Sequence, residues 1–307
     1  MNQIHTHPEQ PQLQAEVILA SEPENNASPI YTLRLRYPRI IHGEIMTHRV
    51  FSRNARSSRA VPVRTMLDEV RNTPFVPWHW GKNQKGMQAG EECNEPVADW
   101  WTPMGNIDRV NAWCAAAIQA SHAAEAFMQA GYHKQLANRL LEPFSWIDTL
   151  VTSTNWSNFL WLRDHKDAEP HLQDLARLVR KALAEAQKQP LREGQWHRPY
   201  VTPEDVSRAS EVAPTHGIDV SEFLNRISAA RCARISYKPF NGDASYGAEL
   251  ERYESLISSD RVHASPTEHQ AQLATELPTG TFDSSHLSGN FGPGWIQARK
   301  LIPNECM

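Results

Sequence analysis

Between residues 30 and 40 the chain reads IYTLRLRYPRI, with Tyr31, Leu33, Leu35 and Tyr37 alternating against Thr32, Arg34 and Arg36. Apolar residues at every second position mark a half-buried strand, because successive side chains leave a strand on opposite faces. Pro38, which lacks the N–H that a ladder needs, ends regular pairing there. Downstream the apolar spacing changes to three and four. It predicts helix over IHGEIMTHRVFS (41–52) and a short amphipathic helix among proline-punctuated loops in 59–81. The longest helix is expected over 106–131, with Asn106 as its cap and Gly131 as its end. Residues 82–103 have no period and read as loop. Further helices are expected over 132–144, where Pro143 stops or kinks the helix, over about 144–162, and over 167–189 with Pro170 in the first turn. Residues 190–217, rich in Pro, His and Trp, read as a linker or lid. An amphipathic helix is expected over 219–237, and Ser265, Pro266 and Glu268 form a capping-box start for another. The glycine-punctuated tail, 287–305, is expected as a surface loop. The sum is an α+β fold, mostly helical with a small antiparallel sheet.

Composition narrows the functional classes. The 307 residues carry a formal net charge of -4, whereas a chain that grips nucleic acid by bulk charge is normally basic. No stable nucleic-acid partner is expected. Cys93, Cys114, Cys232 and Cys306 are scattered, with no C-x-x-C pair, and no H-E-x-x-H occurs. That usage points to a reducing, cytoplasmic setting and to no metal site. The opening MNQIHTHPEQPQLQ has no apolar core, and no run approaches the roughly 20 apolar residues of a membrane helix.

Against that acidic background, THRVFSRNARSSRA (47–60) gathers Arg49, Arg53, Arg56 and Arg59 among serines. Guanidinium groups bind phosphate through two parallel N–H donors, and serine hydroxyls complete such a cradle. At helical spacing Ser52, Arg56 and Arg59 would share a face, as would Arg49, Arg53 and Arg56. A solvated basic loop is the other reading of the same residues. Arg139 and Arg163 stand in apolar, aromatic sequence, where an arginine either snorkels to the surface or is buried with an anionic partner. In HASPTEH (263–269), His263 and His269 flank an expected helix N-terminus, which favours anions. The tryptophans of WHW (78–80) and WW (100–101) either stack on a planar ligand or pack within the protein.

Taken together, three blocks resemble the flavin-dependent (alternative) thymidylate synthases. The family signature, R-H-R followed by a run ending in S-x-R, is similar to THRVFSRNARSSR (47–59). Its second block, an Arg-bearing helix and an N-F-L-x-L-R segment, is similar to NRLLEP and NFLWLRDHKDAEPHLQ. Its third, A-A-R-x-S followed by S-P-x-E-H, is similar to AARCARISY (229–237) and HASPTEH. In the family that third block precedes the signature, so this chain resembles a circular permutant, which termini lying close together make possible. One domain over 1–307 is expected, with insertions near 61–131 and 190–225.

The resemblance implies roles. Arg163 would polarise the pyrimidine as the catalytic arginine, with Glu44, Ser57, Ser58, Arg59 and Arg139 as further nucleotide ligands. His48, Arg49, Asn54, Asn158, Ser236 and His269 would hold FAD, with His269 near the folate. Methylenetetrahydrofolate and NADPH would be co-substrates, and a pyrimidine deoxynucleotide monophosphate, dUMP or a relative such as dCMP, the methyl acceptor. A homotetramer with sites between subunits is also implied. The chain departs from the signature at Thr47, where the family has arginine, at Ala55, where it has glutamate, and at Glu44, where it has glutamine. The alternative is a non-catalytic protein that binds nucleotide or nucleic-acid phosphate.

Overall fold

The computed structural model describes residues 13–88, 90–100, 105–235, 244–258, 262–303 and 305. Strands β1 (Gln14–Pro23) and β2 (Ile30–Pro38) lead through a 3-10 turn into the one-turn helix α1 (His42–Ile45) and the short strand β3 (Ser52–Ala55). Helix α2 (Val63–Asn72), the pair β4 (Val97–Ala98) and β5 (Asn106–Ile107), and the long helix α3 (Arg109–Gln129) follow. Then come α4 (Lys134–Ala137), a 3-10 segment Asn138–Phe144, strand β6 (Trp146–Ser153), α5 (Ser157–Arg163) and α6 (Pro170–Glu185). The remainder comprises β7 (Gln189–Leu191), β8 (Trp196–His197), α7 (Pro203–Val212), α8 (Val220–Ala233), α9 (Tyr246–Ile257), β9 (Ala271–Leu273) and β10 (Trp295–Gln297).

The larger sheet runs β3-β6-β2-β1-β7. The expected strand at 30–40 is β2. The sheet is not wholly antiparallel, because β7 pairs with β1 in parallel, Ser21 opposite Gln189. Helix was expected across 144–162, but its first half is β6, which pairs with both β2 and β3. Ile147, Thr149, Val151 and Thr152 are β-branched and lose rotamer freedom in a helix, while they pack well on a pleated surface. Helix was also expected over 41–52, and only one turn of it forms before the chain extends into β3.

One face of this sheet is the main core. Leu33, Leu35, Tyr37, Ile147 and Val151 pack on Phe51, Trp156, Phe159 and on Leu172, Leu175, Ala176 and Val179 of α6. The α6 residues recur at three, four and seven, a single apolar stripe. Each of the large aliphatic side chains buried there contributes about 1.5–3 kcal/mol. The other face is polar. Register aligns Ser52, Thr152 and Thr32 in one row across three strands, and the small sheet β10-β9-β8 meets it, with His197 of β8 bonded to Thr32 and Gln297 of β10 donating to Ser52.

Further expectations are corrected. Asp108, not Asn106, caps α3, accepting from the backbone N–H groups of Val110 and Asn111. Gly131 does end α3, at φ 86°, the left-handed conformation that glycine adopts without a Cβ clash. Residues 190–217 are not a linker: they hold β7, β8 and α7, with a Thr202–Asp205 capping box. Ser265 starts no helix, because a single 3-10 turn, Ser265–Glu268, forms there without a side-chain cap. The tail is not a surface loop either: Trp295 is fully buried on β10 and donates through Nε1 to the Ser28 carbonyl. Trp78 packs against Phe75, Trp146 and His171, while Trp100 is exposed and Trp101 lies outside the described residues.

Candidate functional site

The Arg/Ser segment wraps the edge of the larger sheet, with β3 as its only strand. The turn before β3 meets the end of α5. There Arg163 Nε donates to His48 Nε2 at 3.0 Å, Nη1 to Glu44 Oε2 at 3.1 Å, and Nη2 to Thr47 Oγ1 at 3.2 Å. The Arg163 side chain is 19% exposed, half-buried with the anionic partner Glu44. Since an arginine Nε–H can only donate, His48 Nε2 is an acceptor and the imidazole proton sits on Nδ1. The ring packs against Phe51 and, edge-on, Phe159. Burial, then the positive charges of Arg163 and Arg53, lowers the His48 pKa from 6.5 to about 4. His48 is therefore neutral at physiological pH, and Arg163 has a fixed position.

The four arginines of the segment have different fates. A strand replaces the expected helix, so the shared faces proposed from helical spacing do not exist. Arg53 Nη1 donates to the Met46 carbonyl at 2.8 Å, closing the turn. Arg56 forms a fork with both carboxylate oxygens of Glu69 on α2, at 2.7 and 3.0 Å. Arg49 and Arg59 are exposed, and neither has a hydrogen-bond or ion-pair partner among the described residues.

At the far end of β3, Asn54, Ser57 and Arg59 line a surface cleft of about 410 Å³, together with Gln135, Ala233, His263 and Ser265. Asn54 Nδ2 also donates to the Cys232 carbonyl at 2.7 Å, tying β3 to the end of α8. Ser58 is buried beside the cleft, and its hydroxyl donates to Glu142 at 2.6 Å. Arg139 is 57% exposed and reaches Glu142 at 3.4 Å, so the surface reading holds for it.

The other implied residues lie apart from these. Asn158 is exposed on α5. Ser236 lies outside the described residues. His269 is fully buried on the polar face of the sheet, not at an opening. Its Nδ1 meets Thr152 Oγ1 at 2.8 Å, Thr152 meets Thr32 at 2.7 Å, Thr32 meets His197 Nε2 at 2.8 Å, and His197 Nδ1 meets Ser21 at 2.8 Å. Burial lowers the pKa of both histidines to about 3, with His269 adding to the shift of His197.

Thus one group gathers Glu44, Thr47, His48 and Arg163, and another gathers Asn54, Ser57 and Arg59. Sequence reasoning missed Glu142 and Arg39, whose side chains meet at 3.1 Å beside Ser58. The signal for Glu142 was a carboxylate three positions after Arg139 in NRLLEPF, a spacing at which the two can pair.

No family model and no curated protein matches the chain. Among solved structures, it is similar to flavin-dependent thymidylate synthase ThyX from Helicobacter pylori complexed with FAD and dUMP. That match has 17% identity and a TM-score of 0.33 over 50% of this chain and 67% of that one. It is also similar to the UMP/dUMP methylase PolB from Streptomyces cacaoi bound with 5-Br UMP, at 12% identity and a TM-score of 0.39 over 57% of this chain and 90% of that one.

Proposed function

We propose that the protein transfers a one-carbon unit from methylenetetrahydrofolate to C5 of a pyrimidine deoxynucleotide monophosphate, dUMP or a relative such as dCMP, with FAD and NADPH. The observation that supports this reading is convergence. The three blocks that resemble the flavin-dependent thymidylate synthases are far apart in sequence and meet around β3. Arg163 bonds His48, Ser58 bonds Glu142, and Asn54 bonds the Cys232 carbonyl. A circular permutant requires this, because reordering the chain must leave its contacts in place.

The available donors are compatible with FAD. Arg49 is exposed and unpartnered among the described residues, a fork of the kind that takes a pyrophosphate. Asn158 stands on the helix whose Phe159 packs against His48, and the His48 Nδ1–H has no acceptor among the described residues. His269, fully buried, is left out of this set. FAD, when bound, supplies the two-electron link from NADPH that turns a methylene into a methyl group. The chain's own part is positioning and charge. Arg163, held by His48, Glu44 and Thr47, presents a fixed cation to the pyrimidine ring and stabilises the negative charge that builds as C5 becomes nucleophilic. Arg59, Ser57, Ser58 and Arg139 hold the phosphate. We place the reaction in the cytoplasm, in a homotetramer whose sites lie between subunits.

Visible absorption before and after adding FAD, followed by loss of the C5 hydrogen from dUMP with methylenetetrahydrofolate and NADPH, tests the proposal. Flavin bands that persist through desalting, with turnover, are expected. A colourless protein that FAD does not reconstitute would remove the reading and favour the non-catalytic phosphate-binding one. The Arg163–Glu44 ion pair fits that rival too, because it shows that a carboxylate already neutralises the would-be catalytic arginine.

A further inference from the structure

Three donors converge on one carboxylate beside the cleft. Ser58 Oγ donates to Glu142 Oε1 at 2.6 Å, Arg39 Nη2 lies 3.1 Å from the same oxygen, and Arg139 Nη1 donates to Oε2 at 3.4 Å. The scaffold around them is fixed. The buried Asn138 donates through Nδ2 to the Ser58 and Val61 carbonyls at 2.7 and 2.9 Å, and Lys134 Nζ donates to the Ala60 carbonyl at 2.9 Å. Two guanidiniums share one carboxylate, so the cluster keeps a net positive charge. It also adjoins the cleft, since Ser57 and Arg59 flank Ser58, and Gln135 stands one helical turn before Arg139.

A hydroxyl and two guanidiniums around a pair of oxygens form the donor set that holds a phosphate monoester. Here a side chain of the protein occupies it. We propose that Glu142 is a resident anion in this cradle, and that a phosphate group binds by displacing its carboxylate from Ser58, Arg39 and Arg139. The inference rests on the reading of Ser58 and Arg139 as phosphate ligands. Glu142 is 21% exposed and can turn out to water, while Arg139, at 57%, already faces the incoming anion. Displacement makes Glu142 a specificity-determining residue. A phosphate dianion offers three terminal oxygens and more charge than the carboxylate it replaces, whereas a carboxylate ligand offers no gain. The site therefore selects phosphate monoesters over carboxylic acids.

Calorimetric titration of the full chain with inorganic phosphate tests this, using the wild type, Glu142→Gln and Arg139→Ala, with acetate as the competing anion. Glu142→Gln is expected to bind phosphate roughly tenfold more tightly, and Arg139→Ala to bind it several-fold more weakly. Acetate is expected to gain measurable binding only in Glu142→Gln. A Glu142→Gln protein that melts like the wild type but binds phosphate no more tightly overturns the role of Glu142. Arg139→Ala binding equal to wild type overturns instead the underlying phosphate assignment, and absence of binding by both wild type and Glu142→Gln overturns both. If Glu142→Gln does not fold, Glu142→Asp carries the test. Its shorter carboxylate cannot span all three donors, so tighter phosphate binding is expected, and unchanged or weaker binding overturns the proposal.

Discussion

The two ends of β3 treat arginine in opposite ways. At one end Arg163 is enclosed by His48, Glu44 and Thr47, all within 3.2 Å of its nitrogens. At the other, Arg59 stands exposed beside the cleft with no partner among the described residues. The strand between those two ends spans about 10 Å, at roughly 3.3 Å per residue. A guanidinium that is already immobilised has lost its rotamer entropy in folding, so it meets a ligand in one orientation. A free one loses that entropy only when an anion arrives. The first arrangement suits polarisation of a reacting ring, and the second suits the grip on a phosphate.

The largest expected effect tests the first end. Arg163→Ala should lower kcat for dUMP by about a thousandfold while the protein keeps its flavin bands, if the lost charge acts at the pyrimidine as proposed. Undiminished turnover would sink the assignment. Acid should come next, and it acts on the enclosed end and on the polar layer. His197 and His269 have folded pKa values near 3, against 6.5 for an ordinary imidazole. The unfolded chain takes up these protons near pH 6.5 and the folded chain only near 3. Their contribution to stability is therefore complete above pH 6.5 and shrinks as pH falls toward 3, by at least about 2 kcal/mol. Urea midpoints measured across that range should fall steadily, and a flat profile would contradict the burial of these rings.

Two smaller effects separate free from structural arginines. Arg59→Ala should weaken dUMP binding about tenfold and leave the melting temperature nearly unchanged. Arg56→Ala should do the reverse, costing about 1 kcal/mol through loss of the half-buried fork to Glu69, with nucleotide affinity unchanged. Equal behaviour of the two variants would mean that exposure does not distinguish ligand-binding from structural arginines here.

Much of the helical part of this fold was legible in sequence. The stripes of α2, α6 and α8 and the stop at Gly131 are local signals, and local signals survive folding. The sheet was less legible. β6 carries both apolar and threonine residues because its two faces meet a hydrophobic core and a polar layer, so its alternation mimics no simple pattern. β10 and β8 are only two or three residues long, and their strand character comes from their partners. At the candidate site, the arginine-rich motif and Arg163 were visible, but their sorting into bound and free was not. Arg53 and Arg56 look like Arg49 and Arg59 until Met46 and Glu69 are folded against them. Glu142 was invisible as a partner of Ser58 because 84 positions lie between them.

The pairing of β3 also bears on how the chain is made. Ser52 lies opposite Thr152, one hundred positions later. A polypeptide leaving the ribosome therefore displays the arginine-rich segment well before the strand that will order it exists. Pairings this distant in sequence close slowly, since the intervening loop must lose its entropy first. In the interval α2 and α3 can assemble on their own apolar stripes, so the helical layer would be in place before the edge strand docks. The segment proposed to meet the nucleotide is then among the last to acquire its shape, and an early phosphate ligand, if it binds there as proposed, would act on it as a folding aid.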